Sequence, residues 1–185
     1  MVHVVLEITG DDILKLSDTD LRSLVALLCE SELRRWGASV SGVTWGGDQD
    51  APDGGLDVRV SIPKKKAAQG FIPRHSTGFQ IKKSDMAPKA IVKEMRPRGK
   101  ARTVISELAK QSGAYIIVSA KGSISDSALR NRREAMLKGA KGIKNARALY
   151  FDFYDRNRIA SWVRDHPGLI PWVRGRMGSP RRMLK

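Results

Sequence analysis

Apolar and polar positions alternate most cleanly over residues 56–62. Leu56, Val58, Val60 and Ile62 fall on one face there, and Asp57, Arg59 and Ser61 on the other. Pro63 ends this strand. A second alternating run, 77–83, puts Phe79 and Ile81 on one face and Gln80 and Lys82 on the other. Between them lies a basic connector that begins Lys64-Lys65-Lys66 and contains Gly70 and Pro73. If the two runs pair, Asp57 shares a sheet face with Gln80 and Lys82.

The rest of the chain reads as elements around this hairpin. Residues 1–16 alternate weakly, as a short strand or an arm. Ser17-Asp18-Thr19-Asp20 reads as a helix start, because short oxygen-bearing side chains accept orphan N–H groups and acids suit the first turn. That helix is predicted to run to Trp36, with Gly37 following its end. Leu21, Leu24, Val25 and Leu28 form its apolar stripe, and Glu32 falls within the same stripe. An inward carboxylate is costly without a positive partner, so Glu32 either meets one or reaches water at the fraying helix end. Residues 39–45 read as a strand and 46–55 as a loop rich in Gly and Asp.

Helices are expected over 86–95 and 101–111, separated by Arg96-Pro97-Arg98-Gly99. The continuous apolar run 114–118 suits a strand buried on both faces. A basic helix over 125–140 and a strand over 146–154 follow. Asp155 can then cap a helix carrying Ile159, Trp162 and Val163, which Pro167-Gly168 ends. This order predicts an α/β fold, a mixed β-sheet sandwiched between helices, without internal repeats. Trp45, Trp162 and Trp172 are expected to pack rather than to stack bases. The fold is expected over 1–173, and 174–185, basic and rich in Gly and Pro, as a tail or linker to a further domain.

Composition narrows the class. With 185 residues, 41% apolar and 29% charged, the chain suits one soluble domain with a real core. No apolar run approaches the ~20 residues of a membrane span. The first residues lack the basic and apolar regions of a secretion signal, and Cys29 is the single cysteine. Both suit a reducing cytoplasm.

The net charge of +15 is unevenly spread. Residues 1–63 carry 5 Lys or Arg against 11 Asp or Glu, whereas 64–110 carry 13 against 3. A basic body facing an acidic first third points to a polyanion, nucleic acid being the commonest.

Phosphodiester cleavage needs a divalent cation, oxygen ligands that hold it and a cationic group near the reacting phosphate. Asp57 offers a carboxylate, Gln80 an amide oxygen, Ile81 a main-chain carbonyl and Lys82 an ammonium. Glu32 offers a second carboxylate if its helix packs on this face. The basic residues Lys64, Lys65, Lys66, Arg74 and Lys83 are candidates for backbone contacts to DNA, which carry affinity rather than sequence. His3, His75 and His166 are too scattered for a metal cluster.

The stretch Asp53-Gly54-Gly55-Leu56-Asp57-Val58 followed by Phe79-Gln80-Ile81-Lys82-Lys83 resembles the PD-(D/E)XK nuclease superfamily. It is closest in pattern to Mrr-type restriction endonucleases, in which Gln replaces the Glu of the E-x-K element. Ser112-Gly113-Ala114-Tyr115-Ile116-Ile117-Val118-Ser119 resembles the next core strand. Asp155 to Trp162 and His166-Pro167-Gly168-Leu169 are similar to the end of nuclease domains fused to bacterial anti-phage NTPases. The resemblance covers residues 17–173.

It implies a restriction-endonuclease-like fold and a Mg²⁺- or Mn²⁺-dependent DNA endonuclease acting on double-stranded DNA in bacterial anti-phage defence. It implies metal binding by Asp57 and Gln80, a catalytic role for Lys82 and a helix carboxylate at Glu32. It also implies a bacterial cytoplasmic location and a C-terminal NTPase or sensor domain, and it leaves oligomeric state open, homo-oligomers included. Gln80 removes one charge from the usual metal site. The competing readings are a catalytically inactive nucleic-acid-binding module of the same fold, and an interaction domain whose basic surface docks an acidic partner.

Overall fold

The computed structural model describes residues 7–46, 55–122 and 124–177. Seven α-helices and five strands form a mixed α/β architecture among these residues. One sheet runs in the order β1 (Val43–Trp45), β2 (Val58–Ser61), β3 (Ser76–Lys82), β4 (Ala114–Ser119) and β5 (Tyr150–Tyr154). The first three strands pair antiparallel, and β3, β4 and β5 run parallel.

Helices cover both faces. On one side lie α1 (Gly10–Lys15), α2 (Asp18–Arg35), α6 (Arg156–Arg164) and α7 (Ile170–Arg176). Ile13, Leu24, Ile159 and Val173 bring them onto Val58, Val60, Phe79, Ile81, Ile116 and Val118. On the other lie α3 (Pro88–Met95), α4 (Thr103–Lys110) and α5 (Asp126–Gly139). Ile91, Leu108 and Met136 pack there against Tyr115, Ile117, Phe151 and Phe153. The strand β4 is therefore buried on both faces, as its unbroken apolar run requires. No helix of the described residues is long and apolar enough to cross a membrane.

Local signals place several boundaries. Ser17 accepts the Asp20 N–H and starts α2, and Gly37 follows it at φ 63°. Asp155 accepts the Arg158 N–H at 2.9 Å and starts α6. Gly113 holds the parallel core together. A Cβ there would lie 2.5 Å from the Ser76 carbonyl oxygen and 3.1 Å from that of Leu108. Gly113→Ala is therefore expected to destabilise the protein by roughly 1–3 kcal/mol through overpacking, read as a lower urea midpoint at unchanged slope.

Other boundaries differ from expectation. Residues 10–15 are helical rather than strand or arm, because Asp12 accepts the Thr9 N–H at 3.0 Å and closes the first turn. The region 39–45 is a short 3-10 turn followed by a three-residue strand, whose Trp45 is exposed rather than packed. Residues 146–148 form another 3-10 turn before β5. Leu56 does not share the face of Val58 and Val60. It packs with the opposite helical layer, because the chain bends at Asp57 before β2 begins.

A 173/174 boundary would cut α7. Arg174 lies within that helix, donates to the Glu7 carbonyl and lies 3.7 Å from Asp12. Residues 47–54, most of the expected loop, and 178–185 of the expected tail lie outside the described residues.

Candidate active site

Because β2 begins only at Val58, the facing edge of β3 beyond it is short of strand partners. Asp57 meets that need. Its backbone N–H donates to the Phe79 carbonyl at 3.0 Å, and its carboxylate Oδ2 accepts the Ile81 N–H at 2.7 Å. The same oxygen accepts Gln80 Nε2 at 2.8 Å. The N–H and C=O of a strand residue point to one edge, so the Ile81 carbonyl faces this open end as well. The expected register holds: Val58 pairs with Phe79, which sets Asp57 opposite Gln80.

Asp57 also reaches the helical layer on the other side of the sheet. Arg22 Nε, from the second turn of α2, lies 3.0 Å from Asp57 Oδ1. Arg22 Nη2 lies 2.5 Å from Asp18 Oδ2, so one guanidinium spans two carboxylates. Asp18 Oδ1 in turn accepts the Lys83 N–H at 3.3 Å. Burial pushes the Asp57 carboxyl above the usual carboxylate range, and the Ile81 N–H, Arg22 and Lys82 offset only part of this.

Lys82 points to the α3 layer. Its Nζ lies 3.3 Å from Glu94 Oε1, and Arg102 Nη2 donates to the same oxygen at 2.7 Å. Arg102 also closes on the turn before Asp57. Gly55 has a φ of +76°, a backbone conformation that favours glycine, and a Cβ there would lie 2.6 Å from the movable Arg102 Nη1.

Glu32 is placed elsewhere. It is 2% exposed, as its position in the stripe predicts, but it faces α6 and the turn after it. Trp162 Nε1 donates to Glu32 Oε1 at 3.0 Å, and His166 Nε2 lies 3.0 Å from the same oxygen. Oε2 has Arg35 Nη2 at 3.4 Å. Ten residues of helix separate Glu32 from Arg22, about 15 Å along the axis. The structure does not bring Glu32 to Asp57.

The basic candidates divide. Lys83 lies at the Asp57 end. The connector joins the other ends of β2 and β3, where Ser61 pairs with Ser76. Lys64, Lys65 and Arg74 are exposed there, roughly 20 Å along β3 from Lys82. Lys66 donates to the Trp36 carbonyl at 3.1 Å, and Arg74 lies over the Tyr150 ring. This end of the sheet continues into a groove rimmed by Lys110, Lys138, Lys141 and Arg147.

The Gln80 side chain tests the fit of a divalent cation. Its Oε1 is buried and has no hydrogen-bond partner among the described residues, although its Nε2 is bonded to Asp57. Asp57 and this orphaned oxygen form an adjacent pair of hard donors. That fits an ion such as Mg²⁺, which keeps several waters and takes one or two carboxylates. No group of three or more His, Cys, Asp or Glu side chains among the described residues forms a larger cage.

Sequence reasoning missed four participants: Asp18, Arg22, Glu94 and Arg102. Asp18 carried only a helix-start signal, and Arg22 borders the apolar stripe as any solvated residue would. Glu94 and Arg102 flank the Arg96-Pro97-Arg98-Gly99 break, which read as a separator between helices. Comparison of the chain with models of protein families, with curated proteins and with solved structures found no match.

Proposed function

We propose that this chain is a metal-dependent DNA endonuclease domain with a restriction-endonuclease-like fold. The observation that carries the reading is the convergence of Asp57 with Gln80, whose buried Oε1 lacks a partner, and of Lys82 at the same end of the hairpin. The mixed sheet between two helical layers supports the fold.

Asp57 and Gln80 would hold Mg²⁺ or Mn²⁺, which would polarise the phosphate and activate a water. The chain's own groups do the rest. The Ile81 N–H and Gln80 Nε2 fix the Asp57 carboxylate. Glu94 steadies the Lys82 ammonium next to the site, where it stabilises negative charge developing on the phosphate. The net charge of +15 draws double-stranded DNA to the domain. In this reading the domain is the effector of a bacterial cytoplasmic anti-phage protein, joined to a C-terminal NTPase or sensor.

Two observations favour a second reading, a nucleic-acid-binding module without catalysis. Arg22 already neutralises Asp57, and Glu32 supplies no second metal carboxylate.

Plasmid nicking separates the two. The protein is expected to nick plasmid with Mg²⁺ and not with EDTA, and Lys82→Ala is expected to slow nicking about a hundredfold, the usual effect of losing one charge stabiliser. Binding without cleavage would select the module. Cleavage that survives Asp57→Ala would sink the site assignment.

A further inference from the structure

Beside Lys82 lies a cavity of ≈ 480 Å³ walled by Lys82, Lys93, Glu94, Arg98 and Arg102, together with apolar residues. Its lining includes four cationic residues and one carboxylate residue. Glu94 is shared between Lys82 at 3.3 Å and Arg102 at 2.7 Å, so it cannot offset the others. Among the described residues neither Lys93 nor Arg98 has a carboxylate within ion-pair distance. The cavity therefore keeps a net positive charge, and its size is that of a small-ligand site.

The turn that forms its rim is built for this. Arg98 takes left-handed backbone angles, φ 53° and ψ 31°, which are unfavourable for a residue with a Cβ. Pro97 and Gly99 flank it, and the Gly99 N–H donates to the Arg96 carbonyl at 3.0 Å. Arg96 anchors the whole turn to the end of α5, donating to the carbonyls of Gly139 at 3.2 Å and Lys141 at 2.8 Å. A fixed turn thus presents a cation at an unusual backbone position to a cavity that already holds an excess of cations. Lys82, which lines the cavity, stands two residues along β3 from Gln80, whose Nε2 donates to Asp57 at 2.8 Å.

We infer that this cavity is a phosphate subsite, which seats a backbone phosphate of the nucleic acid next to the phosphodiester at Asp57 and Lys82. The inference deepens the nuclease reading and rests on it for the identity of the strand. It names Lys93 and Arg98 as binding residues for that strand, in place of the distant Lys64, Lys65 and Arg74. Contacts of this kind fix register on the backbone and carry no base sequence.

The test is anisotropy of a fluorescent DNA duplex titrated with the protein in EDTA, over a range of salt. Lys93→Glu/Arg98→Glu changes two exposed side chains, and its melting temperature checks the fold. The double variant is expected to bind about thirtyfold more weakly, with a salt slope shallower by about two. Lys64→Glu/Lys65→Glu, at the far end, is expected to lose less than threefold.

Unchanged affinity and slope in the first variant, or a larger loss in the second, would overturn the subsite. So would a parent that does not bind duplex. A polyglutamate peptide that binds the parent as tightly as duplex does would replace the phosphate ligand with an acidic protein. Adding Mg²⁺ separates the two claims. A parent that binds through Lys93 and Arg98 but never cuts fails the nuclease reading alone, and a parent that cuts while the double variant binds normally fails the subsite alone.

Discussion

Glu32→Ala is expected to destabilise the protein by roughly 3–5 kcal/mol and to leave its Mn²⁺ affinity unchanged. The carboxylate is 2% exposed and ties the last turns of α2 to α6. Truncation strands the Trp162 indole N–H and the His166 ring, both of which depend on Oε1 at 3.0 Å, and costs the desolvation of each. Trp162 in turn is stacked on Phe71, with ring centres 4.8 Å apart, and abuts Phe79 and Tyr154. Loosening Glu32 therefore loosens the aromatic centre of one core layer. Urea unfolding measures the loss, and calorimetric titration with Mn²⁺ measures the site. Glu32→Gln keeps an acceptor for Trp162 and is expected to recover much of the stability. A tenfold fall in Mn²⁺ affinity in folded Glu32→Gln would return Glu32 to the metal site.

This residue shows where sequence reasoning succeeds and where it stops. The helical period correctly turned Glu32 inward, because Leu21, Leu24, Val25 and Leu28 define the stripe. Period gives direction but not partner, and Trp162 is 130 residues away. The hairpin was more legible. Alternation in two short runs predicts that Asp57 shares a sheet face with Gln80 and Lys82, and the pairing of Val58 with Phe79 supplies the register. Even there the bend at Asp57 turned Leu56 to the other layer, an effect of the positive-φ Gly55 that alternation ignores.

The connector carries a different lesson. Asp57 immediately precedes the first strand and Lys82 ends the second, so the loop between the strands must lie at the opposite end. Lys64, Lys65 and Arg74 nevertheless read as DNA contacts in the sequence, although hairpin topology puts their connector at the end away from Asp57 and Lys82. Apart from Lys82 on β3, the cations at this end of the sheet come from α2, α3 and the turn before α4. Their approach depends on how helices pack on the sheet, and no local pattern records that.

Gln80→Glu is expected to make the fold depend on divalent metal. Gln80 Nε2 now donates to Asp57 Oδ2 at 2.8 Å, in a position that is 4% exposed. A carboxylate in its place faces a second carboxylate across the same gap, and two like charges so close cannot both ionise without cost. Two unit charges 4 Å apart repel by about 4 kcal/mol at the effective dielectric of such sites. Arg22 and Lys82 absorb part of this, so a loss of roughly 2–3 kcal/mol is expected in EDTA. Proton uptake by the pair lowers the cost in acid, and the loss is expected to shrink as pH falls. Mn²⁺ relieves the same repulsion through an added charged donor, and its affinity is expected to rise on the order of tenfold or more. The measurement is the melting temperature of parent and variant in EDTA and in Mn²⁺. The variant is expected to melt below the parent without metal and to gain more from its addition. A variant as stable as the parent in EDTA would show that the Gln80 amide does not face Asp57 in solution. A variant destabilised but unresponsive to Mn²⁺ would show that the pair binds no metal, and would leave the non-catalytic module as the function of this site.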